Sequence, residues 1–129
     1  MTIFTKIING EIPCHKIAED DDHLAFLDIM PLKTGHVLVI PKEPVDYIFD
    51  MPPADLAALH LFSQKVAKAI KSAINCTKIG VAVVGLEVPH THIHLIPIRS
   101  VSDMDFSKEK MKPTNDELSA TAALIKKHL

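Results

Sequence analysis

Pro89-His90-Thr91-His92-Ile93-His94-Leu95-Ile96-Pro97 sets three histidines in strict alternation with the β-branched residues Thr91 and Ile93. That alternation predicts a strand, on which successive side chains point to opposite faces. His90, His92 and His94 then share one face. Three imidazoles on a face can serve a metal, supply a nucleophile with acid–base partners, or form a solvated polar edge. Cα atoms four residues apart on a strand lie about 13 Å from each other. Zinc sits only about 2.0–2.1 Å from a ligating nitrogen, so His90 and His94 can hardly share an ion without a sharp bend. The pair His90 and His92 could, with a third ligand from elsewhere, but the chain has no Cys-x-x-Cys and no His-Glu-x-x-His. Chemistry by the imidazoles themselves is the stronger reading, and a metal site the competing one.

Outward from this strand, the pattern divides the chain into elements. Just before it, Ile79–Val84 is a near-continuous apolar strand, and Gly85-Leu86-Glu87-Val88 is a bend. From Pro52 to about Ile74, residues Leu56, Leu59, Phe62, Val66, Ile70 and Ala73 recur at helical spacing, with Gln64, Lys65, Lys68 and Lys71 opposite. Near the N-terminus, Ile3, Phe4, Ile7 and Ile8 predict a short helix closed by a left-handed Asn9-Gly10 pair. Three strands follow, at Cys14–Glu19, His23–Ile29 and His36–Ile40, joined by turns at Asp20–Asp22 and Pro31–Gly35. A meander is their economical arrangement. After the histidines, the polar segment from Arg99 is expected to be irregular to Pro113. Thr114-Asn115-Asp116-Glu117 then has capping-box form, and Leu118, Ala122, Ile125 and Leu129 predict a short final helix. Segregated strands and helices make the class α+β.

Composition narrows the function. A chain of 129 residues with 47% hydrophobic and 23% charged residues has the makeup of one globular domain. Its net charge of −2 argues against nucleic acid as a partner. No apolar run is long enough for a membrane span, and the N-terminus does not read as a signal peptide. Cys14 and Cys76 read as reduced thiols, so a cytoplasmic location is expected.

The chain resembles the histidine triad (HIT) family of nucleotide hydrolases and transferases. His-x-His-x-His followed by apolar residues is that family's signature. Ile3-Phe4-Thr5-Lys6-Ile7-Ile8-Asn9-Gly10-Glu11-Ile12-Pro13 looks like the N-terminal segment of its Hint branch. So do Phe26-Leu27-Asp28-Ile29 with Pro31 close behind, and Gly35-His36-Val37-Leu38-Val39-Ile40-Pro41-Lys42. The resemblance implies a five-stranded antiparallel sheet with one long helix and short terminal helices, the sheet continuing across a homodimer. Residues 3–98 would be the domain core, with 99–129 a C-terminal segment of the same domain. It implies cleavage of purine nucleoside phosphoramidates through a nucleotidyl-histidine intermediate, without metal or other cofactor. His92 would be the nucleophile and His94 a donor to phosphate oxygens, with His90 and His36 in support. Asp28 would accept from the ribose hydroxyls. Phe4, Ile7, Ile12, Leu27 and Ile29 would line the base pocket, with Gly85, Leu86 and Glu87 near the phosphate.

The chain departs from the pattern: the Val83-Val84-Gly85 loop is short, and no asparagine corresponds to the family's ribose-contacting one. Leu86 and Glu87 stand where Hint proteins usually carry Gln-Ser. Thr2 and Thr5 stand where some bacterial members hold zinc through Cys-x-x-Cys. Other implied activities are hydrolysis of a dinucleoside polyphosphate or of adenylyl sulfate, or nucleotide binding with little turnover. A carboxylate at position 87 is expected to favour cationic leaving amines if it faces the phosphate.

Overall fold

A computed structural model describes residues 1–129. The elements are α1 (Ile3–Ile8), β1 (Lys16–Glu19), β2 (His23–Leu27), β3 (Val37–Pro41), α2 (Pro53–Ala73), β4 (Lys78–Ala82), β5 (Ile93–Ile98) and α3 (Asn115–Lys126). Short 3₁₀ turns lie at Ile48–Asp50 and Val101–Met104. All five strands form one antiparallel sheet in the order β1-β2-β3-β5-β4. The first three strands make the expected meander, and β5 inserts between β3 and β4.

The strand period sorts the apolar residues to two faces. Ala25 and Leu27, Val37 and Val39, and Ile93 and Leu95 face the long helix α2, where they join Leu59, Phe62, Val66 and Ile70 in the main core. Helix α3 adds Leu118, Ala122 and Ile125 to this core. Burying one Leu, Ile or Phe side chain is worth about 1.5–3 kcal/mol, so this layer supplies most of the drive to fold. Alternate residues Leu24, Phe26, Leu38 and Ile40 face the other way and meet Phe4 of α1 in a smaller cluster. His94 lies on this second face, directly opposite Leu38 across the ladder.

Helix ends follow the side chains available. Thr2 caps α1 by accepting from the Thr5 N–H at 3.2 Å. Pro53 opens α2 at a position where its missing N–H costs nothing. Thr114 and Glu117 close a reciprocal capping box at the start of α3, as their spacing predicts. After α1, Gly10 alone is left-handed (φ 78°), whereas Asn9 stays in the right-handed region.

The main correction concerns the histidine stretch. β5 begins only at Ile93, so His90 and His92 precede the strand. The His90 N–H turns back onto Val88 O at 2.8 Å. Thr91 donates both its N–H and its hydroxyl to Val45 O, each at 2.7 Å. The lead-in is thereby tied to the loop after β3, a strand that ends at Pro41, which has no N–H to extend a ladder. Elsewhere β2 stops at Leu27 and β4 at Ala82, leaving Asp28-Ile29 and Val83-Val84 in the connections. No helix is long and apolar enough to cross a membrane.

Candidate active site

His92 is positioned by the backbone of the residue two before it. Its Nδ1 donates to His90 O at 2.7 Å, which puts the ring proton on Nδ1 and leaves Nε2 with a free lone pair. Phe4 packs edge-on against this ring, with centroids 5.0 Å apart. His90 itself is fully buried and holds the segment down through Nε2, which donates to Pro41 O at 2.7 Å. Its Nδ1 has no partner, and burial depresses its pKa.

His94 and His36 form a pair whose tautomers follow from one fixed donor. The Leu32 amide N–H donates to His36 Nδ1 at 3.1 Å. An amide cannot accept, so the His36 proton sits on Nε2 and is donated to His94 Nδ1 at 3.0 Å. The His94 proton is therefore on Nε2. Burial is the chief cause that lowers the pKa of His36 to about 3 and that of His94 to about 4, so both rings are neutral at pH 7. A neutral Nε2–H on His94, 5.0 Å between ring centroids from His92, suits donation to an oxygen that is gaining charge.

Asp28 lies one residue past β2. Its backbone N–H pairs with His36 O at 3.0 Å, and its Oδ1 accepts from the Met30 N–H at 2.9 Å. Oδ2 stands 3.8 Å from His36 Nε2. Burial pushes the Asp28 carboxyl up from its usual range, against the pull of the Met30 N–H. Asp28, His36 and His94 offer atoms within 4.8 Å of one another and could hold a divalent ion. Such an ion would have to replace the His36–His94 hydrogen bond. The alternative metal pair, His90 and His92, keeps one unengaged ring nitrogen on each residue, but His90 is fully buried and does not line the cavity.

These groups open onto a cavity of about 580 Å³. Of the residues singled out in the sequence, Asp28, Ile29, His36, Gly85, Leu86, Glu87, His92 and His94 line it. Phe4 and Leu27 are instead buried in the two cores, with Ile7 packed against the smaller one. Leu27 also borders a neighbouring cavity of about 440 Å³, which shares Asp28 and His36. His90 and Ile12 do not border the larger cavity, and His90 acts through the His92 ring. Leu86 is 89% exposed and Glu87 is also exposed, so the replaced pair forms a solvated rim.

Four lining residues were missed by the sequence: Met30, Val84, Phe106 and Lys110. Phe106 packs edge-on against His94 at 4.8 Å between centroids. It is a lone aromatic in an otherwise polar stretch, which was the available signal. Lys110 had none.

A family model described as the HIT domain matches residues 9–101. The adenylylsulfatase HINT3 of Arabidopsis thaliana is 36% identical over 136 residues, covering 98% of this chain and 68% of that protein. The adenosine 5′-monophosphoramidase hnt1 of Schizosaccharomyces pombe is 41% identical over 96 residues, covering 74% of this chain and 72% of that protein. Among solved structures, a Hit-like protein involved in cell-cycle regulation from Bartonella henselae, with an unknown ligand, has a TM-score of 0.85 at 35% identity. That superposition covers 99% of this chain and 96% of the other. The matched span holds the whole sheet and all four histidines of the site, and the chain belongs to the histidine triad (HIT) family.

Proposed function

We propose that the protein is a hydrolase of purine nucleoside phosphoramidates of the AMP–amine type, acting through a nucleotidyl-histidine intermediate and without a metal. The observation that carries this reading is the bond from His92 Nδ1 to His90 O, which leaves Nε2 as a bare nucleophile bordering the cavity. In the first step Nε2 forms a bond to the α-phosphorus as the bond from phosphorus to the amine breaks, and the departing nitrogen takes up a proton. Water then attacks the same phosphorus, the N–P bond breaks, and AMP leaves with His92 restored. His94 Nε2–H stabilises charge on the phosphate oxygens in both steps. Asp28 accepts from the ribose hydroxyls, beside Ile29. The monophosphoramidase named among the relatives supports this choice of bond.

Replacing His92 with alanine should abolish turnover of an adenosine phosphoramidate while AMP still binds. Mass spectrometry of a quenched reaction should find the nucleotidyl group on His92. A label mapped to any other residue would overturn the assignment.

Hydrolysis of adenylyl sulfate is the second reading, because the match to the adenylylsulfatase extends over 98% of the chain, including its C-terminal segment. Assay of both substrates side by side decides between them. The implied homodimer is supported by the edge strand β4, where Val81 is 58% exposed and Val84, just beyond, 50%. Sedimentation at micromolar concentration tests it.

A further inference from the structure

The cavity is poor in positive charge. Asp28 and Glu87 bring carboxylates to its wall, and burial holds His36 and His94 neutral. Among the lining residues Lys110 is the only lysine or arginine. A phosphate already carries negative charge, and ionised carboxylates along the wall oppose its entry. An anion-binding site with this lining needs a cation.

Lys110 reaches the cavity from a part of the chain that the strand motifs do not predict. It lies in the irregular stretch between the 3₁₀ turn at Val101–Met104 and α3. Its Nζ donates to Phe106 O and, at 3.0 Å, to Lys108 O. Those two carbonyls hold the ammonium in place and leave its third N–H without a protein partner. No carboxylate is within ion-pairing distance of it. The half-buried lysine is close enough for its charge to act on both Asp28 and His36. The loop that carries it is fixed at both ends. The Met111 N–H donates to Pro31 O at 2.9 Å, and Phe106 packs on His94. Much of the cost of ordering a lysine side chain is therefore met on folding rather than on binding.

We propose that Lys110 is the phosphate-binding cation of this site, its free N–H donating to a non-bridging oxygen of the nucleotide phosphate. The proposal rests on the reading of the cavity as a nucleotide site. Lys110 then separates nucleotides from nucleosides, while His92 and His94 carry the chemistry.

The test is calorimetric titration of the full chain with AMP and with adenosine, for the wild type, Lys110→Gln and Lys110→Arg, at low and high salt. Lys110→Gln should weaken AMP about tenfold, the loss of one partly screened charge contact, and leave adenosine unchanged. Lys110→Arg should keep the charge and stay within about threefold of the wild type. The salt dependence of AMP binding should be smaller in Lys110→Gln than in the wild type. If AMP and adenosine weaken together in Lys110→Gln, the lysine only braces its loop and the proposal falls. It also falls if AMP affinity is unchanged. A wild type that binds neither ligand overturns the nucleotide reading itself, an outcome distinct from both.

Discussion

His36 shows how a residue outside the signature can decide what a signature residue does. Its Nδ1 is occupied by the Leu32 N–H, and this assigns the proton on His94 without any charged group taking part. Removing the ring frees His94 to adopt either tautomer and leaves its Nδ1 without a donor. His36→Ala should lower kcat about ten- to hundredfold, as loss of an oriented donor does, with little change in the Kd for AMP. Steady-state rates beside calorimetry would show the split, and an equal loss in both would place His36 in binding instead. At Asp28 the expectation is reversed. Losing hydrogen bonds to a carboxylate costs about 1.5–3 kcal/mol, so Asp28→Ala should weaken AMP roughly ten- to hundredfold. The wild type should also prefer AMP to its 2′,3′-dideoxy analogue. Equal affinity for the two nucleotides would remove Asp28 from the ribose site.

At the scale of elements, the turn before β3 is the part least able to change. Gly35 has φ 93°, and a Cβ there would lie 2.9 Å from Ile74 Cγ1 and 3.2 Å from Pro97 Cγ. Gly35→Ala combines backbone strain with a clash against the end of α2. It should cost about 1–3 kcal/mol in chemical denaturation. It also displaces the neighbouring His36, so activity should fall with stability. Helices α1, α2 and α3 were legible because their signals are local: apolar spacing, Pro at a start, a Thr…Glu box. The alternation of His90, Thr91, His92, Ile93 and His94 misled in part. A strand needs a partner as well as a pattern, and Pro41 and Val45 give His90–His92 a different one. Asp28, His36, His92 and His94 nonetheless border one cavity. Phe106 and Lys110 were not foreseen, because their place depends on a loop returning over the sheet through the Met111–Pro31 hydrogen bond.

Over the whole molecule, burying neutral histidines makes stability depend on pH. His36 titrates at about 3 and His94 at about 4 in the fold, against 6.5 for a free imidazole. Between those values the unfolded chain binds protons that the folded chain refuses. Stability is therefore complete above about 6.5 and falls as pH drops toward 4, at up to about 1.4 kcal/mol per pH unit for each group. Asp28, raised by burial, acts in the opposite sense and partly offsets the loss at the acid end. Urea denaturation at pH 7.0 and 4.5 should show the fall. His36→Gln should show a shallower one, and an identical slope in the variant would mean that the imidazole does not carry it.

The hydrogen-bonded row from Leu32 through His36 to His94 looks like a proton wire, but its inner terminus is a peptide amide, which neither gives up its proton nor takes another at neutral pH. Nothing can flow along it. A neutral imidazole that surrendered its Nε2 proton outright would be left as an anion with no internal source of replacement, so His94 lends its hydrogen without parting with it. In the proposed reaction the proton taken up by the departing amine does not come along this row; it comes from bulk water, from the substrate or from the Lys110 ammonium in the cavity wall. On the proposed reading, the histidine row orients a hydrogen and relays none.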